Sequence, residues 1–222
     1  MLDLDKAQVL IALTDDEVLA LAARSDCRWP SIVPTVDVAD EASLAEAVTR
    51  GARSLMVRNL LGVDGHDALA DSVQAIIGPL LLEREILGSF LATGIFHYAG
   101  RGLATAYYCC NDAWWISEVI SASGVHYVKK DDPIRCKKIL LGLIEEAMIN
   151  GIPQSQSAAP QTVVDLCVIG MSSSAGARFV SVRPDEIMAY GSLSGSDPPP
   201  LVRQLASPRD VLAYLNHSMS IE

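Results

Sequence analysis

The chain is poor in aromatic residues, 5% of its 222, and in bases: 17 Lys and Arg face 27 Asp and Glu, a formal net charge of −10. Nucleic-acid binders gain affinity by neutralising phosphates with basic groups, so this balance argues against a nucleic-acid partner. An anionic membrane surface is disfavoured for the same reason. No apolar run approaches the roughly 18 residues a membrane helix needs. The longest, Ile76–Leu82 and Ile139–Ile144, are short or interrupted. There is no C-x-x-C, so the usual zinc and thioredoxin-like spacings are missing. Five cysteines, an odd number, do not suggest a disulfide framework. Phosphate-cradling glycine motifs are absent too, both G-x-x-x-x-G-K-[ST] and a G-x-G-x-x-G that opens a helix. The opening Met1-Leu2-Asp3-Leu4-Asp5-Lys6 is acidic where a secretory leader would be basic, which points to the cytoplasm.

What the chain has is apolar material. Half of it is hydrophobic and only 20% is charged, with a mean hydropathy of +0.27. That is enough for a sizeable core, with a surplus for a partner or a second copy in a homodimer. The length fits one domain over 1–222. A subdivision into 1–150 and 163–222 remains open, because residues 151–162 are small and polar and read as a linker. The acidity is uneven: residues 1–50 hold ten acids and four bases.

Local signals give an order of elements. Thr14 followed by Glu17 forms a capping box that predicts a helix over 14–25. A second helix is expected from Asp40 to Arg50, stopped by Gly51, and a third from Asp67 to Ile77, stopped at Gly78-Pro79. From Leu81 the pattern changes to short β-branched and aromatic segments: 83–91, 95–98, 103–110, 114–120 and 125–129. Turn pairs such as Ser123-Gly124 separate them, as in an antiparallel meander. Asp131-Asp132-Pro133 then opens a helix that runs to Asn150-Gly151. A hairpin over 163–171 and 178–183 and a helix over 208–215 complete the chain. The expected class is α+β, a central antiparallel β-sheet (meander) flanked by helices.

No catalytic residue, metal ligand or cofactor motif stands out. Asp131 and Asp132 look like a carboxylate pair but sit where acids favour a helix N-terminus. Lys129, Lys130, Arg135, Lys137 and Lys138 form the one basic cluster, read as a local ion-paired surface. Tyr107-Tyr108 and Trp114-Trp115 are the densest aromatic group. Adjacent strand residues face opposite sides, so one Trp is expected in the core and the other exposed or half-covered. These four residues are the candidate anchors for a protein partner, since aromatic side chains carry much of interface energy. A second reading, a small metal- or ligand-binding enzyme, would gather His97, His126, Asp112 and Cys109 or Cys110 on the sheet.

The Thr14–Glu17 helix start, the Trp29-Pro30 link, the segment Ala52–Leu61, the helix ending near Pro79, the Trp pair and Gly124-Val125-His126 come in a familiar order. Over roughly residues 10–145 this order resembles the EspG-like family of ESX (type VII) secretion-associated proteins of actinobacteria. The resemblance implies a cytosolic, non-enzymatic chaperone with a mixed α/β fold of two related halves. It also implies a protein partner, the exposed tip of a helical secretion substrate. The chain departs from the family in its short length and in its thin second half after Gly151.

Overall fold

The computed structural model describes residues 10–61, 70–81, 88–93, 104–109, 114–150, 166–172, 176–183, 187–190, 201–205 and 207–219. In chain order these form β1 (Leu10–Thr14), α1 (Asp15–Arg24), α2 (Glu41–Val57), α3 (Asp71–Leu81), β2 (Gly88–Thr93), β3 (Ala104–Cys109), β4 (Trp115–Ile120) and β5 (Val125–Asp131). There follow α4 (Pro133–Asn150), β6 (Leu166–Ser172), β7 (Gly176–Val182), β8 (Ile187–Tyr190), β9 (Leu201–Gln204) and α5 (Pro208–Met219). The expected α+β class holds, with one antiparallel sheet of nine strands in the order β1-β5-β4-β3-β2-β6-β7-β8-β9. Among the described residues, no helix is long and apolar enough to cross a membrane.

That order contains a repetition. β2 to β5 followed by α4, and β6 to β9 followed by α5, are each four consecutive antiparallel strands and a helix. The first strand of each set, β2 and β6, pairs with its counterpart in opposite directions, Gly88 with Ser172 and Thr93 with Cys167. β1 extends the first set at its outer edge through Leu10–Lys129 to Thr14–Val125.

Alternation along the strands divides the interior into two layers. On one face α4 and α5 bury Cys136, Leu140, Ile144, Val211 and Leu215 against Tyr107, Trp115, Val180, Val182 and Ala189. On the other, α1, α3 and Trp29 cover Tyr108, Ile116 and Val128 together with Leu13, Leu21, Ile77 and Leu80.

The starts of α1, α2, α4 and α5 follow the sequence signals, α3 begins at Asp71 and not at Asp67, and two of the stops differ. Thr14 and Glu17 close the expected capping box on α1, and Asp132 caps α4 by accepting from Arg135 N at 2.8 Å. α2, however, passes through Gly51 to Val57. Ala47, Gly51 and Leu55, spaced by four, are its buried stripe, and Gly51 lets its backbone touch α1 at Asp16. Just past its C-cap Arg58, Asn59 takes φ 54° and turns the chain out of the helix. Leu60 N then bonds to Leu55 O at 2.9 Å, and Asn59 N to Met56 O at 3.0 Å. α1 ends the same way on Asp26, φ 49°. Both are left-handed caps built without glycine. α3 runs over 71–81 and contains Pro79, which was expected to end it. β1, β8 and β9 were not expected; they are too short and too weakly alternating to stand out. The expected segment 95–98 and the linker 151–162 lie outside the described residues.

Candidate functional site

The site is assembled where α1 begins. Thr14 leaves β1 in an extended conformation and starts the helix, so Asp15 sits at the junction facing the sheet. Asp15 N donates to Gly124 O at 2.9 Å, tying the junction to the β4–β5 turn. Gly124 takes φ 72° there, and a Cβ on it would crowd both Asp15 Oδ2 and Thr35 Oγ1. From the next strand residue but one, His126 points into the layer beneath α1.

His126 is fully buried and held on both ring nitrogens. Nε2 is 2.6 Å from Asp15 Oδ1, and Nδ1 is 2.6 Å from Glu118 Oε1. The second oxygen of Asp15 accepts from Thr35 N at 2.7 Å and Thr35 Oγ1 at 2.6 Å. Glu118 accepts from Trp29 Nε1 at 3.1 Å and from the Tyr108 hydroxyl at 2.6 Å. The Trp29 ring stands edge-on to the imidazole, 6.2 Å between centroids. Every polar atom of the three charged groups therefore has a partner, which is the condition for keeping charge inside a protein.

The electrostatics follow from that geometry. Burial pushes the His126 pKa down, but hydrogen bonds and attraction from Asp15 and Glu118 outweigh it and hold it at about 9. Burial pushes Asp15 up, while His126 and the two Thr35 donors pull harder, leaving it below the usual carboxylate value. At neutral pH the centre is an imidazolium between two carboxylates. Two nitrogens that both donate leave no lone pair, so His126 in this arrangement neither accepts a proton nor ligates a metal. What the arrangement does is fasten β4, β5, the start of α1 and the 25–40 segment to one another.

A third buried carboxylate lies two residues further along α1. Glu17 accepts from Thr14 N at 2.9 Å, Ser54 Oγ at 2.7 Å and Arg58 Nη1 at 2.6 Å. Arg58 also donates to Ala12 O at 2.8 Å, so one side chain joins α2 to α1 and to the backbone of β1. On the other face of the sheet Asp131 accepts from Ser117 Oγ at 3.0 Å and pairs with Lys129 at 3.0 Å. Lys130 lies over the Trp114 ring at 4.2 Å and Lys137 over that of Trp115 at 5.6 Å. The expected ion pairs are present for Lys129 and Arg135, both with Asp131; the stacking of Lys130 and Lys137 on the tryptophan rings is an addition to that reading.

The four aromatic residues read as partner anchors are placed differently from that expectation. Trp115, Tyr107 and Tyr108 are all buried, at 2%, 3% and 1% exposure. Trp115 and Tyr107 pack under α4, and Tyr108 under α1 and α3. Only Trp114 is part-exposed, at the margin of the second layer. Strand alternation was read correctly, but helices cover both faces at this point, so the inward and the outward member of each pair both become core. Of the residues gathered in the metal or enzyme reading, His126 and Cys109 lie on opposite faces of the sheet. His97, Asp112 and Cys110 are outside the described residues. Among the described residues, no group of three or more His, Cys, Asp and Glu is disposed to hold a metal ion. Cys27, Cys109 and Cys136 are free thiols. Burial, and after it the nearby Asp131, pushes the Cys136 thiol up to about 12.

Asp15, Glu118, Trp29 and Thr35 were not read as one site. The available signal was Glu118 itself, an acid inside the mostly apolar run Trp115–Ile120. The chain matches no protein-family model, and no curated protein matches it.

Proposed function

We propose that the chain is a non-enzymatic protein-binding module, a cytoplasmic chaperone or adaptor for helical substrates of a type VII-like secretion system. The observation that carries this reading is an apolar strip on the sheet. Val119 and Tyr127 are cross-strand partners, 39% and 40% exposed, and Leu10 on the adjoining strand is 56% exposed. All three lie on the face that α4 and α5 cover farther in. Monomeric domains rarely leave such strips on a sheet without a use for them. An amphipathic helix laid across it would place anchors at i, i+3 and i+4 on Val119, Tyr127 and Leu10. The repeated four-strand-plus-helix unit also supports the resemblance, whose members have two related halves.

Co-expression with a helical secretion substrate tests the reading. A stable complex is expected, lost in the Val119→Asp and Tyr127→Asp variants while their unfolding midpoints stay within a few degrees of the parent. Co-purification unchanged in both variants overturns it. Self-association through the same strip is the other outcome, seen as a dimer by light scattering of the isolated chain.

A further inference from the structure

We propose that the cleft between α1 and α2 is a binding site for a single-chain amphiphile with an anionic head, of the medium-chain carboxylate type. This goes beyond the protein-binding reading and uses a different surface. The cleft lies on the α1 side of the molecule, and the Leu10–Val119–Tyr127 strip lies on the opposite face of the sheet.

The cleft follows from how the helices pack. α1 and α2 touch at Gly51, where no side chain keeps the backbones apart, and the cavity lies between Leu19–Ala23 of α1 and Leu44–Val48 of α2. The 25–40 segment bridges the gap. The resulting cavity holds about 680 Å³, within the roughly 300–1,000 Å³ of small-molecule sites. Its walls are Leu19 and Ala22 from α1, Leu44 and Val48 from α2, and Val33 and Val38 from the bridging segment, with Trp29 also lining it. Val38 is 53% exposed in spite of this setting, so the wall has apolar surface to give up.

One charged residue lines the cavity, Arg28. Among the described residues its guanidinium has no ion-pair partner. Among the described residues neither Asp26 nor Asp37 nor Asp40 is ion-paired with it; Asp37 and Asp40 cap local backbone, accepting from Ala39 N at 3.0 Å and Ala42 N at 3.2 Å. An apolar cleft with one unpaired cation is complementary to a ligand with a hydrocarbon body and one negative end. Trp29 is fixed in place by its bond to Glu118, so this part of the lining is rigid.

The test is calorimetric titration of the full chain with sodium dodecanoate below its micelle concentration. Dodecyltrimethylammonium and anionic phospholipid vesicles are titrated in parallel. Saturable one-to-one binding of dodecanoate is expected, with the cationic amphiphile weaker. Arg28→Glu should cost about tenfold or more, as expected for loss of one charge-assisted pair. Ala23→Trp, a change at an exposed helix position that lines the cleft, should abolish binding while leaving the melting temperature unchanged. The proposal is overturned by no saturable binding, by equal affinity in Arg28→Glu, by full affinity in a folded Ala23→Trp, or by binding to vesicles alone. None of these outcomes touches the sheet-strip variants, so the two readings fail separately.

Discussion

His126 Nε2 lies 2.6 Å from Asp15 Oδ1 across 111 residues of chain, the longest-range polar contact around the buried centre. It joins the second strand of a hairpin to the first turn of a helix formed far earlier. Replacing His126 by Leu would leave two buried carboxylates with no cation between them. We expect a loss of about 3–5 kcal/mol, the cost of breaking a buried pair from one side. Urea unfolding measures it. Adding Glu118→Gln to that variant should recover part of the loss, and strictly additive effects would sink the coupling.

Stability should depend on pH in both directions. The His126 pKa is raised in the fold, from 6.5 to about 9, so its contribution is complete below 6.5 and is lost as pH rises through 9. In that window the folded chain holds one proton more than the unfolded one, and stability falls by roughly 1.4 kcal/mol per pH unit. Asp15 is shifted the other way, and its contribution is present above the ordinary aspartate value and lost as pH falls below it. Denaturation midpoints from pH 3 to pH 9 should rise and then fall, and the fall between pH 6.5 and pH 9 should vanish in His126→Leu, while the loss above pH 9 from the buried Cys136 thiol stays. A profile flat above pH 7 in the parent would contradict the assignment.

Gly51→Ala should destabilise by about 1–3 kcal/mol, because the added methyl would collide with the Asp16 carbonyl and push α1 from α2. Gly142→Ala is the control: nothing lies near its Cβ position, and alanine favours a helix by about 1 kcal/mol over glycine. Thermal melts of the two should move in opposite directions.

Arg58→Ala should have two effects. Glu17, wholly buried, loses a charged donor at 2.6 Å, costing about 1–3 kcal/mol. Ala12 O on the outermost strand is also uncovered. Bare strand edges template pairing with other chains, so light scattering on standing should increase relative to a control of equal stability.

Much of the frame could be read from local chemistry. The Thr14–Glu17 box and the Asp132 cap announce themselves because a capping side chain reaches only three residues. The meander was legible from alternation and turn pairs. The extent of α2 was not, since Gly51 reads locally as a stop and the reason it continues lies on α1. The burial of Tyr107, Tyr108 and Trp115 was hidden for a related reason: alternation separates two faces without saying whether both are covered. The candidate site was legible in one member only. His126 stood out as a histidine, but its partners come from residues 15 and 118, and their acidity was attributable to capping or to a strand surface.

The β2–β6 seam gives the molecule the form of a two-fold dimer written in one chain. The first residue of β2 meets the last of β6 and the last meets the first, the reciprocal contact of an isologous interface. Separate subunits would make that contact at a rate and extent set by their concentration, and each would carry an open strand while waiting. Here both sides are tethered, so the seam closes at any dilution. Because only one half is capped by α1 to α3, the two halves are also free to differ, one holding a sealed ionic centre and the other none among the described residues.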